Sequence, residues 1–146
     1  MGRKKKEKKS NPYYKNKETL TVYLVLRALV ILTLPLWGLL LGNGEIHTDI
    51  QTDKVFIEGG MHEYEIMAEE VIRVELLEEL PPVTRTAGTG MPELLGGSFA
   101  SKEYGKLKVC LNPTAPPFVL VETEDTTYLL GTNEPAQTQA IYNVLK

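Results

Sequence analysis

Apolar residues run almost unbroken from Leu20 to Gly42, LTVYLVLRALVILTLPLWGLLLG. These 23 residues carry a single charge, Arg27. At about 1.5 Å of rise per residue, the run as a helix reaches roughly 34 Å, enough to cross a hydrocarbon core of about 30 Å. Arg27 lies early in the run, and helical side chains tilt toward the N-terminus, so its guanidinium can snorkel back to the head groups. Tyr23 and Trp37 suit the two interfacial belts, and a membrane helix tolerates the kink expected at Pro35. The pattern predicts an uncleaved transmembrane anchor. Two rivals are a cleaved signal peptide, with small residues at Gly42 and Gly44, and a buried or interfacial helix. Gly38 and Gly42 form a G-x-x-x-G, a spacing that can seat a homodimer of such helices.

Past the anchor the period shortens to two. Ile46 to Gln51 and Lys54 to Glu58 read as short strands around Thr52-Asp53. Gly59-Gly60 turns the chain into Met61–Met67, where Tyr64 and Ile66 alternate with Glu63 and Glu65. Ala68 to Glu70 fits one helical turn. Next come Ile72, Val74 and Leu76 on one side of a strand and Arg73 and Glu75 on the other, up to Pro81-Pro82. Val83 to Gly97 shows no period and predicts an irregular, glycine-rich loop. Phe99 resumes order. Leu107, Val109 and Leu111 alternate with Lys106, Lys108 and Cys110, Phe118 to Glu122 is β-prone, and Thr127 to Leu130 follows a turn at Glu124-Asp125. The last element predicts a helix from about Glu134 to Leu145, capped by Asn133, with Ala136, Ala140, Ile141 and Val144 on one face. Some seven strands and a closing helix make a mainly β domain over 43–146.

Charge divides the chain the same way. Residues 1–19 carry eight basic and two acidic side chains, a charge of +6, and residues 43–146 carry seven basic and seventeen acidic, −10; Arg27 completes the net −3. Basic residues flanking a first span stay in the cytoplasm, so the tail 1–19 is expected inside and the domain outside. Beside a span, the basic tail reads as a topology signal touching anionic lipid rather than as a nucleic-acid arm. Cys110 is the only cysteine, so no intrachain disulfide forms, and a disulfide-free domain outside the membrane fits a bacterial cell membrane. In its strand-like run Cys110 is expected to be a packing residue.

Several residue sets carry the order of a known family. They are Val74-Glu-Leu-Leu-Glu-Glu-Leu-Pro81, Arg85-Thr86 followed by Gly88, Gly97-Ser-Phe99, Tyr104-Gly-Lys106, Pro116-Pro-Phe118, and Thr127-Tyr128 before a terminal helix with Pro135 and Thr138. From about Glu45 to Lys146 the chain resembles the bacterial pleckstrin-homology-like domains. The resemblance implies a bent seven-stranded barrel or sandwich capped by a C-terminal helix, of a kind often found beside membrane segments.

Catalytic patterns are missing. His47 and His62 stand apart with no H-x-x-x-H, and no calcium loop of the D-x-D-x-D-G kind occurs. Gly88-Thr89-Gly90 lacks the lysine of a phosphate loop, and Ser10, Ser98 and Ser101 lack a G-x-S-x-G. No cofactor and no enzymatic activity are expected. The stretch nominated for recognition is Arg85, Thr86, Gly88, Thr89 and Gly90. Arg85 can grip a carboxylate or phosphate, the threonines add hydroxyls, and the glycines admit a ligand to the backbone. The plainer alternative is that Arg85 pairs with a glutamate of its own domain. The expectation is an interaction or scaffolding module, held in the bilayer by Leu20–Gly42 and facing an unidentified membrane or envelope protein. A lipid or small-ligand binder is the alternative, and the scattered basic residues argue against it.

Overall fold

The computed structural model describes residues 17–41 and 44–146. The chain divides into two units, Met1–Gly42 and Asn43–Lys146. In the first, α1 (Lys17–Leu41) is a continuous helix of 25 residues with Pro35 inside it. Its stretch Glu18–Trp37 has a mean hydropathy of 2.0 and buries none of its side chains. One helix near the N-terminus is thus long and apolar enough to span a membrane, consistent with a single-pass membrane protein. Most of the basic tail, and Gly42 of the G-x-x-x-G, lie outside the described residues.

The second unit is mostly β: nine strands in two sheets and one helix. β1 (Ile46–Ile50), β2 (Lys54–Gly59) and β3 (His62–Met67) form an antiparallel three-stranded sheet. Three residues of 3-10 helix, Ala68–Glu70, lead to β4 (Val71–Leu77), as the sequence suggests. Then follow β5 (Thr84–Met91), β6 (Leu94–Ser101), β7 (Gly105–Leu111), β8 (Phe118–Thr123), β9 (Thr127–Leu130) and α2 (Pro135–Leu145). The second sheet runs β4-β8-β9-β7-β6-β5, antiparallel except for the β7–β9 pair. The mainly β fold with a closing helix is the one expected. The strand count rises to nine because the supposed loop 83–97 is an antiparallel hairpin, β5–β6.

Alternation sends each central strand's side chains to two cores. Cys110, Val119, Val121 and Leu130 face the small sheet and α2, meeting Val55, Ile57, Ile66, Ile141 and Leu145. Leu107, Val109, Leu111, Phe118, Leu120 and Leu129 face the other way, beneath Leu77, Leu80 and Val83. Those three come from β4 and its link to β5. A flat sheet would hold β4 and β5 about 24 Å apart, near the reach of the six linking residues, so the sheet curls under the link. Gly59 lets the β2–β3 hairpin close on the large sheet, since a Cβ there would stand 2.8 Å from Cys110 Sγ. Tyr64 donates to the Gly97 carbonyl at 3.3 Å and meets Tyr128 edge-on, with ring centroids 5.6 Å apart.

Three local expectations change. Ile72 sits where the β4–β8 register slips, so it leaves the face of Val74 and Leu76 and is 62% exposed. In α2 the buried line is Thr138, Ile141 and Leu145, while Ala136 is exposed. Asn133 does not cap α2, because its side-chain oxygen accepts from Asn112 at 3.0 Å. Thr132 ties the helix start instead: its hydroxyl donates to the Glu134 carbonyl at 2.6 Å, and its amide donates to Thr138 Oγ1 at 3.0 Å.

Candidate functional site

Arg85, Thr86, Gly88, Thr89 and Gly90 all fall on β5, a strand rather than a loop. Thr84, Thr86 and Thr89 are β-branched and favour extended backbone. The strand ends the six-strand order and hydrogen-bonds only to β6. Its register slips between Arg85 and Ala87, which makes Thr86 the extra residue of a bulge. The Thr86 hydroxyl donates to the Ser98 carbonyl at 3.0 Å and so fixes the bulge to β6.

Gly88 and Gly97 sit opposite each other with φ of 120° and 115°. A Cβ on Gly88 would collide with the Gly96 carbonyl, and one on Gly97 would stand 2.5 Å from the Ala87 carbonyl oxygen. Gly88 therefore admits the neighbouring strand, not a ligand, and the hairpin bends there. The space at Gly90 is also filled from within: a Cβ would lie 2.5 Å from Nη1 of Arg85. Thr89 is half-buried opposite Gly96, and the His62 ring packs against Gly96 from the small sheet.

The Arg85 side chain thus lies along its own strand, over Gly90. The expected pairing with a glutamate of the domain does not form. Among the described residues Lys54 pairs with Glu65 at 3.4 Å, Arg73 pairs with Glu75, and no carboxylate lies within 4.0 Å of Arg85. Arg85 instead borders an open groove of about 600 Å³, with Leu80, Pro81, Val83, Met91 and Leu95 on its walls. On the other side of β5 a groove of about 430 Å³ is lined by Thr86, Ser98, Lys106, Lys108 and Asp125. Lys108 donates to Ser98 Oγ at 3.4 Å. Lys102 borders a third groove beside Thr84.

Sequence reasoning missed that Arg85, Lys102, Lys106 and Lys108, four of the seven basic residues of 43–146, border three grooves along β5–β7, Arg85 on one side of β5 and Lys106 with Lys108 on the other. The alternation of Lys106 and Lys108 with Leu107 and Val109 was the available signal, since it puts both lysines on one face of β7. Acid collects near β4, where Glu69, Glu70, Glu124 and Asp125 line a groove of about 420 Å³ beside Ile72, and Asp125 also borders the lysine groove.

The remaining candidates for chemistry stand apart. Cys110 is buried, and burial, then the Glu58 charge, pushes its thiol from 9.0 up to about 12, far from a thiolate nucleophile. His47 is exposed, 4.0 Å from Glu45, while Nε2 of His62 is buried and has no hydrogen-bond partner. Among the described residues no three His, Cys, Asp or Glu side chains gather as metal ligands.

Comparison with known families supplies the identity of this scaffold. A family model described as bacterial PH domain matches residues 47–144. The chain belongs to the bacterial PH domain family. The match begins in β1 and ends in α2, so it takes in both sheets of this PH domain and leaves α1 outside. No curated protein and no solved structure matches the chain significantly. Membership suggests an interaction or scaffolding module, and PH-like domains are generally without enzymatic activity.

Proposed function

We propose that this chain is a single-pass membrane protein whose PH domain is an interaction or scaffolding module with no catalysis of its own. The observation that carries the reading is the union, in one chain, of a helix apolar and long enough to span a membrane, unburied over Glu18–Trp37, with a PH domain. The charge split of +6 before the helix and −10 after it supports an N-terminus in the cytoplasm of a bacterial cell and a domain outside it. A pull-down of the full chain from detergent-solubilised membranes tests the module reading. It should recover a membrane or envelope protein that a variant with an unfolded domain does not recover. Equal recovery with both would end it.

One observation favours the second reading, an anionic ligand or lipid head group. Lys106 and Lys108 stand together over a groove that Ser98, Thr86 and one carboxylate, Asp125, also line. Vesicles rich in anionic lipid separate the two. Binding of residues 43–146 that Lys106→Glu with Lys108→Glu abolishes would favour lipid; indifference to vesicle charge favours a protein partner.

A further inference from the structure

We propose that the outer edge of β5 is the docking site of an extended peptide segment carrying a carboxylate near an apolar side chain. The proposal rests on the module reading and names the chemistry of the partner. β5 is eight residues long, ends its sheet, and is exposed from Thr84 to Gly88. Exposed edges are usually guarded by proline, by outward lysine, by a bulge, or by a covering element. β5 carries one of these, the bulge at Thr86, but it has no proline and no lysine, no other strand among the described residues pairs with its free edge, and its one charge lies along the strand over Gly90. An added strand would hydrogen-bond to the free edge and direct alternate side chains to the two faces.

The face beside the 80–83 link decides what those side chains are. Arg85 has no carboxylate within 4.0 Å among the described residues, although the domain carries −10. A guanidinium left without a counter-charge suits a carboxylate, which it grips with two parallel hydrogen bonds. The groove beside it, with Leu80, Val83, Met91 and Leu95, suits an aliphatic or aromatic side chain. Residues two apart on a strand share a face, so a carboxylate at Arg85 sets an apolar residue two positions along near the groove. A second copy of β5 is a poor occupant: Thr84–Met91 holds no acidic residue and would bring another Arg85 without a counter-charge.

The test is a selection of random displayed peptides, about nine residues long to match the strand, on the full chain in lipid nanodiscs, with empty nanodiscs subtracted. Enriched peptides should hold Asp or Glu two positions from Leu, Ile, Val, Met or Phe. A synthetic copy should slow deuterium exchange across Thr84–Met91 and leave β4 unchanged. Arg85→Glu should weaken it about tenfold or more, as loss of a charge-assisted hydrogen bond does, and should turn selection toward basic peptides. Arg85→Lys should retain part of the affinity. The proposal is overturned by enriched peptides without carboxylates, by indifference to Arg85→Glu, by protection at another strand, or by dimers that protect Thr84–Met91 with no peptide present. Peptides that bind another face would end the edge proposal and leave the module reading standing. No enrichment over empty nanodiscs would also end it, and the membrane pull-down would then decide the module reading.

Discussion

Shortening Ile141 to alanine probes whether α2 is an integral part of the domain. Ile141 is fully buried in the core where both sheets meet α2, in line with Thr138 and Leu145. Removing three carbons there forfeits their transfer energy and leaves a cavity, at about 2–5 kcal/mol. Unfolding entropy of about 2.1 cal/mol/K per residue, over roughly 104 residues, makes each kcal/mol worth about 5 °C. Ile141→Ala should therefore lower the melting temperature of residues 43–146 by about 10–25 °C, read by near-ultraviolet circular dichroism. Ile141→Asp should cost more, because it also strands a carboxyl in the core. Ala136→Ser, on the exposed side of the same helix, should stay within about 0.5 kcal/mol of the parent. A shift for Ile141→Ala no larger than that of Ala136→Ser would refute the docking of α2.

Gly88→Ala and Gly105→Ala should differ in urea midpoint. Both have positive φ, but a Cβ at Gly88 strikes β6 while one at Gly105 meets open space, so only the second should cost as little as about 1–2 kcal/mol. Cys110 should resist alkylation until the domain unfolds. Its native thiol titrates near 12 against an ordinary 9.0, so this group's stabilising contribution is complete below 9 and is lost as pH rises toward 12. The slope approaches 1.4 kcal/mol per pH unit, and Cys110→Val should flatten it in alkaline unfolding curves. Arg85→Ala should leave the unfolding midpoint unchanged and weaken partner capture; a lowered midpoint with capture intact would make Arg85 a structural residue. A reporter active only outside the cytoplasm, fused after Lys146, should be active.

What could be read in the sequence followed how regular each environment is. α1, the alternating stretches 62–67 and 105–109, and the apolar run 118–121 lie in uniform surroundings, exposed along a helix, core on one face of a strand, or core on both faces, and their patterns are plain. β5 is exposed on both faces, carries a bulge at Thr86 and bends at Gly88, so neither hydrophobicity nor alternation marks it. Its strand character comes from pairing with Leu94–Ser101, which no local pattern of its own reveals. The five nominated residues fall on one strand rather than a loop, and their surroundings depend on that pairing. Gly88 receives β6, Gly90 lies under Arg85, and the counter-charge expected for Arg85 is absent from its surroundings. Likewise Asn133 reads as a cap until Asn112, 21 residues earlier, takes its oxygen.

We propose that this PH domain, tethered by α1, engages a protein through the β5 side of its large sheet. Photo-crosslinking side chains placed singly at Thr84, Ala87 and Thr89 on β5, and far from it at Ile72 on the edge strand β4 and Glu122 on the neighbouring β8, test it in the intact membrane. One discrete adduct is expected from the β5 positions, abolished by Arg85→Glu, and none from Ile72 or Glu122. Adducts from Ile72 and Glu122 alone, or lipid adducts alone from every position, would contradict it.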